Sequence, residues 1–174
     1  MQEMSDTFLN DSGGRKSKKG RGQMNPIRNS IKALIIQDGA ILLTKNRDEQ
    51  GEFYILPGGG QEIGETMEEA LHRECAEEIS CAVEIGPLRL IREYIGDRHE
   101  TGVYSQLHQI EFMFLCQISE GTPCMGQTPD TMQTGVEWIP LADFPSIRVF
   151  PARLKEFVKA NGSIEGPIYM GDTN

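Results

Sequence analysis

Changes in the spacing of hydrophobic and polar positions divide this chain into elements. Ser30 to Gln37 carries Ile31, Ala33, Leu34, Ile35 and Ile36, a nearly continuous apolar run that reads as a strand. Asp38-Gly39 follows, then a second apolar run from Ala40 to Thr44, and a two-residue Asp-Gly link between such runs predicts a hairpin. Asn46 to Glu52 is polar and reads as a loop, while Phe53 to Leu56 reads as a short strand entering Pro57 and the glycines Gly58, Gly59 and Gly60. From Thr66 the period becomes helical, with Leu71, Cys75 and Ile79 on one stripe, and the helix is expected to end near Ile79. Thr66 and Glu69 stand at capping-box spacing at its start. Ala82 to Tyr94 is mostly strand, with a break expected at Gly86-Pro87. Ser105 to Ile118 alternates, with His108, Ile110, Phe112 and Phe114 on one face and Gln109, Glu111, Met113 and Leu115 on the other, as in a half-buried strand. Gly135 to Ile139 is a strand, and Pro151 to Ala160 reads as a second helix burying Leu154, Phe157 and Val158. Asp97 to Gly102 and Glu120 to Gln133 are loops. This order predicts an α+β fold, an α/β/α sandwich whose mixed β-sheet has helices on its faces.

Length and charge refine the picture. A chain of 174 residues suits one domain, or one domain with a tail. Asp11 to Gly22 is polar, glycine-rich and basic, a composition that buries too little surface to offset its ordering entropy. Residues 1–27 are therefore expected to be a disordered tail or a leader, with Met24 as an alternative start, and residues 28–174 the domain. No apolar run approaches the roughly 20 residues that cross a bilayer, and the opening residues lack a secretory signal, so no membrane association and a cytoplasmic location are expected. Cys75, Cys81, Cys116 and Cys124 form no C-x-x-C pair; the first three read as small buried hydrophobes of a reduced protein. The net charge of −9 is uneven: residues 1–30 hold six Lys/Arg against three Asp/Glu, and the remainder eleven against twenty-three. An acidic body argues against a general polynucleotide surface. It leaves small phosphorylated ligands open, because bound divalent ions supply positive charge locally. Arg15, Lys16, Lys18, Lys19 and Arg21 offer an RNA-binding arm as the alternative.

The densest chemistry lies in Gly59 to Cys81, which holds seven glutamates behind a glycine turn. Glu74, Glu77 and Glu78 are three and four residues apart, so they neighbour one another on a helix surface, within about 100° of arc. Hard cations such as Mg²⁺ prefer oxygen donors and are commonly held by a few carboxylates together with substrate phosphates. The alternative is a solvated Glu-rich face.

The residues at fixed offsets around those glutamates resemble the signature of the Nudix hydrolase family. Gly59, Glu65, Arg73-Glu74 and Glu77-Glu78 match its charged and glycine positions, with Cys75 in an aliphatic slot. Ser80 stands where the family usually has glycine, and Cys81 where it has an aliphatic residue. The signature covers 23 residues, and the order of elements extends the likeness from about residue 28 to 160. A glycine at the Ser80 position usually ends a helix in left-handed geometry, which serine enters at a cost of about 1 kcal/mol; a helix end of different geometry is the alternative.

The resemblance implies that Glu74, Glu77 and Glu78 coordinate Mg²⁺, with Mn²⁺ as an alternative. It implies that Arg73 orients the cluster through Glu65, and that Gly58, Gly59 and Gly60 bring backbone to a diphosphate. Its implied reaction is attack of water on a nucleoside diphosphate linked to another group, with Glu74 or Glu78 as candidate base. Homodimers are common among such proteins. The downstream marks of the ADP-ribose, NADH, coenzyme A and dinucleoside-polyphosphate subgroups are missing or incomplete. Other candidates are Glu111 as a further metal ligand, Glu137 and His108 near the chemistry, and Lys45, Arg47 and Tyr54 as substrate contacts. Phe53 is the alternative to Tyr54 for stacking, with Arg92 and Arg98 weighed as surface or site. Two other readings stand beside hydrolysis of a small nucleotide: a non-catalytic nucleotide-sensing module and an RNA 5′-end pyrophosphohydrolase.

Overall fold

The computed structural model describes residues 26–99 and 103–174. The basic run and Met24 lie outside the described residues. The order is β1 (Arg28–Gln37), β2 (Ala40–Asp48), β3 (Gly51–Ile55), α1 (Met67–Ile79), β4 (Ala82–Ile95), β5 (His108–Glu120), β6 (Gln133–Pro140), β7 (Val149–Phe150), α2 (Leu154–Phe157) and β8 (Tyr169–Asp172).

Asp38 and Gly39 both take positive φ, 51° and 75°, which turns β1 tightly into β2. The two strands pair only next to this turn, at Ile36–Ile41 and Gln37–Ala40. Beyond it each joins its own set of partners. β1 runs parallel to β5, β5 is antiparallel to β4, and β4 is parallel to β8. β2 lies between β3 and β6, antiparallel to both, and β7 extends β3 in parallel. The result is one mixed, strongly divided sheet, an α+β fold.

Strand alternation sends the core to two sides. Ile31, Ala33 and Ile35 pack with Ala70, Leu71, Cys75 and Ile79 of α1. Leu34, Leu43, Leu56 and Met113 pack on the other side with Phe144, Leu154 and Phe157. Full burial of a residue such as Leu71 or Ile79 stabilises the fold by about 1.5–3 kcal/mol. Helix α1 therefore has a firmly seated apolar edge, and its acidic edge is fixed with it.

Both ends of α1 are secured. Thr66 accepts the Glu69 N–H at 3.2 Å while the Glu69 carboxylate accepts the Thr66 N–H at 2.7 Å, the reciprocal cap the spacing predicts. Ser80 ends the helix in left-handed geometry (φ 55°, ψ 31°), the conformation for which glycine is usual. The loop after β5 covers that end: Cys124 and Gly126 donate their N–H groups to the carbonyls of Ile79 and Glu78.

Four expectations change. The polar segment Asn46 to Glu52 is the hairpin between β2 and β3, not an open loop; Asp48 accepts the Gln50 N–H and Gly51 (φ 116°) closes the turn. The expected break at Gly86-Pro87 is a pair of register shifts within a continuous β4. The second helix is a single turn, because Val158 takes extended geometry and bridges to Ile164. The apolar residues Leu154, Phe157 and Val158 are buried as expected, but one turn suffices to bury them. Strands β7 and β8 were not foreseen; they are two and four residues long, and β8 contains Gly171.

Candidate active site

The segment after β3 runs against the start of β1. Pro57 and Gly59 carbonyls accept the N–H groups of Ala33 and Ile31, each at 2.8 Å, and Gln61 donates to the Asn29 carbonyl. This draws the glycine turn between β1 and α1, where there is no room for side chains. A Cβ on Gly58 (φ 120°) would strike the Ile31 carbonyl, and one on Gly59 would sit 2.5 Å from both carboxylate oxygens of Glu74. Glycine here is a requirement of close approach as well as of backbone geometry.

Arg73 organises the acidic edge. Its Nε and Nη2 donate to Glu65 at 3.2 and 2.7 Å, a two-bond grip of the planar guanidinium on the carboxylate. Nη2 also donates to the Gly60 carbonyl at 3.0 Å, and Nη1 to Glu74 at 2.8 Å and Glu77 at 3.3 Å. One side chain thus ties the glycine turn, the helix and Glu65 together. The Arg73 bond, with help from the Glu62 N–H, holds the Glu65 carboxyl below its ordinary range. The same pairing keeps the guanidinium more firmly charged.

Glu78 is 3% exposed and accepts the Gly58 N–H at 2.8 Å. Burial pushes its carboxyl up to about 7, against the opposing pull of the Lys32 ammonium and the Gly58 N–H. Lys32, itself buried, donates to the Gly58 carbonyl. Asp130, on the loop before β6, adds a further negative charge that Glu78 feels.

Between the glycine turn and the sheet lies a cleft of about 190 Å³, whose lining includes Lys32, Gly58, Gly59, Arg92, Glu111 and Asp130. Ser30 and Lys32 face it because they alternate with the core-facing residues of β1, and Gln109 and Glu111 face it from the paired strand β5. Glu111 is therefore at the cleft, but both its oxygens are engaged: Oε2 by Arg92 Nη1 at 2.8 Å and Oε1 by Gln109 Nε2 at 2.9 Å. It serves here as the partner of a buried arginine, which leaves little of it for a metal.

Lys45, Arg47 and Tyr54 do not line this cleft. Lys45 bridges Glu52 and Glu137 at 3.1 and 2.9 Å, Arg47 pairs with Glu52, and the Tyr54 hydroxyl donates to Glu137. They form a network across β2, β3 and β6, and strand alternation explains why Phe53 reaches a cavity while Tyr54 packs in the core. His108 pairs with Glu93 at 2.8 Å and lines a separate cavity that it shares with Glu62 and Glu65, not the cleft beside Gly58. Cys75, Cys81 and Cys116 are buried as expected and Cys124 is exposed.

Sequence reasoning missed Lys32, Gln109 and Asp130. Lys32 had a signal, as the one charge inside the apolar run of β1. Gln109 had a partial signal, the face it shares with Glu111 in the alternation of β5, while Asp130 had none, because its place depends on the path of a loop.

Glu74, Glu77 and Glu78 share one edge of α1, but among the described residues no three acidic, histidine or cysteine side chains already converge as a metal cage. Arg73 holds two of them, and Glu78 turns to Gly58. The donor set is nonetheless three carboxylates, with Glu74 against the bare Gly59 Cα and Glu78 on the Gly58 N–H, which matches the oxygen preference of a hard divalent ion.

The NUDIX domain family model matches residues 26–160. Nucleoside triphosphatase NudI of Enterobacter sp. (strain 638) is 37% identical over 95 residues, covering 51% of this chain and 67% of that protein. Nucleoside triphosphatase NudI of Escherichia coli O139:H28 is 36% identical over 95 residues with the same coverage. The crystal structure of a MutT NUDIX hydrolase from Burkholderia pseudomallei superposes with a TM-score of 0.60 at 25% identity, covering 75% of this chain and 96% of that one. Since the matched span contains the whole glycine turn and the Arg73 cluster, this chain belongs to the Nudix hydrolase family, the pyrophosphohydrolases.

Proposed function

We propose that this protein hydrolyses nucleoside triphosphates with a divalent cation, Mg²⁺ or Mn²⁺, held by Glu74, Glu77 and Glu78. The substrate class follows the NudI relatives, which are nucleoside triphosphatases. The observation that carries the chemistry is the single guanidinium of Arg73, which joins Glu65, Glu74, Glu77 and the Gly60 carbonyl. It fixes the carboxylates against a backbone turn able to approach a polyphosphate.

A bound divalent ion would polarise phosphoryl oxygens and make an adjacent water more acidic. The protein's own residues supply the rest. Water forms a new bond to phosphorus, the bridging P–O bond breaks toward diphosphate, and the water's proton passes to a carboxylate of Glu74 or Glu78. Glu65 and Arg73 keep those carboxylates in position, and the cations Arg28, Lys32 and Arg92 that line the cleft offset substrate charge.

The test is a panel of nucleoside triphosphates, nucleotide sugars and dinucleotides incubated with Mg²⁺ or Mn²⁺ and followed by ³¹P NMR. Nucleoside monophosphate and inorganic diphosphate in equal amounts from triphosphates is the expected result. Cleavage confined to nucleotide sugars or dinucleotides would reassign the substrate, and no metal-dependent cleavage of any member would overturn the proposal.

A further inference from the structure

The cleft beside the glycine turn adjoins a second compartment of about 750 Å³, with Ile55, Arg92, Gln109 and Phe150 lining both. Phe53 and Phe150 meet edge-to-face there with centroids 5.6 Å apart. Arg148 lies over both rings, at 5.4 and 5.2 Å, and is held by two bonds to Asp48 at 2.8 and 2.7 Å. The other aromatic group is Tyr94, stacked with His99 at 5.3 Å and 15°. These are flat, fixed surfaces of the kind on which a heterocyclic base stacks.

Arg92 is the cation common to the linings of both compartments. It is 6% exposed. Its Nε donates to the Thr173 carbonyl just beyond β8 at 2.7 Å, and its Nη1 to Glu111 at 2.8 Å. The guanidinium lies 4.8 Å from the Tyr94 centroid. Glu111 is its cross-strand neighbour in the β4–β5 pair, so strand register sets the ion pair. An arginine carries five N–H donors in a rigid fork. Nη2 has no bond to the protein among the described residues, although Arg92 is buried and lines both cavities. A guanidinium that is buried, immobilised on two sides and incompletely bonded is set up to receive an anion.

We propose that Arg92 binds the phosphate nearest the nucleoside, while the base occupies the compartment walled by Phe53, Phe150, Tyr94 and Arg148. This rests on the nucleoside-triphosphate reading above. It goes further in naming the junction residue, and in giving strand β8 a role, since the Thr173 carbonyl after it aims the guanidinium.

Binding separates this proposal from the hydrolytic one, because it needs no turnover. Isothermal titration calorimetry would compare wild type, Arg92→Lys and Phe150→Leu with an α,β-methylene nucleoside triphosphate and with inorganic tripolyphosphate, each with Mg²⁺. A lost charge-assisted bond corresponds to about tenfold or more in affinity. Arg92→Lys is expected to weaken both the nucleotide and tripolyphosphate about tenfold, because a terminal phosphate of tripolyphosphate can occupy the same subsite. Phe150→Leu, at a half-buried position, should weaken the nucleotide alone. Unchanged nucleotide affinity in either variant would overturn the proposal even for an active enzyme, as would equal weakening of both ligands by Phe150→Leu. Binding that responds as expected in a protein without turnover would sustain the site and overturn the hydrolysis. A wild type that binds neither ligand would overturn both.

Discussion

The Glu78 carboxylate, all but sealed from solvent, accepts the N–H of Gly58 at 2.8 Å. That bond links the helix to the glycine turn, and it holds a carboxylate where ionisation is unfavourable. The folded-state value of about 7 exceeds the ordinary 4.5, so the folded protein binds more protons than the unfolded chain between those pH values. A raised carboxylate therefore costs stability as pH rises: nothing below about pH 4.5, and roughly 3 kcal/mol above about pH 7. In EDTA, thermal melts of Glu78→Gln should show a higher Tm than wild type at pH 8, with the difference closing toward pH 4.5. The same Tm difference at both pH values would show that Glu78 carries no such penalty.

Gly59→Ala isolates the packing of Glu74 on the turn. The added methyl would sit 2.5 Å from the Glu74 carboxylate, so Glu74 must shift or the turn must move. Misplacing a reacting group by about 1 Å commonly costs on the order of a hundredfold in rate. A loss of kcat of that order is expected, with Tm lowered by only a few degrees. Wild-type kcat would mean that Glu74 can leave Gly59 without consequence.

Arg73→Lys separates charge from geometry. Lysine keeps the positive charge but lacks the planar fork that holds Glu65 by two bonds while reaching Glu74, Glu77 and Gly60. Loss of a group that orients metal ligands typically reduces metal affinity or activity by about 10–100-fold. Mn²⁺ binding followed by electron paramagnetic resonance should weaken accordingly, alongside turnover. Unaltered Mn²⁺ affinity would remove Arg73 from that role.

Arg47→Ala should do nothing to catalysis. Arg47 is largely exposed, pairs with Glu52 and does not line the cleft. Exposed ion pairs contribute about 0–1 kcal/mol, so kcat/KM should stay within twofold and Tm nearly constant. A large rise in KM would restore Arg47 as a substrate contact.

Local signals were legible in the chain, and pairing was not. Helix α1, its capping box and the Asp-Gly hairpin rest on residues within a few positions of one another, so periodicity and turn chemistry reveal them. The alternation of β5 likewise showed that Gln109 and Glu111 share a face. It could not show that Arg92 stands opposite Glu111, because that depends on the register between β4 and β5. Lys45 and Tyr54 looked suitable for phosphate and base, yet their partner Glu137 comes from a strand more than 80 residues away. The second helix misled for another reason: the spacing of Leu154, Phe157 and Val158 suits one turn followed by an extended residue as well as it suits a long helix.

The most direct measurement is steady-state hydrolysis of nucleoside triphosphates, with Mg²⁺ varied, by wild type, Glu74→Gln and Glu78→Gln, each checked for folding by circular dichroism. Mg²⁺-dependent turnover by wild type and a loss of two or more orders of magnitude in both folded variants is the expected result. Undiminished turnover in both variants, or turnover indifferent to Mg²⁺, would contradict a site built from the acidic edge of α1.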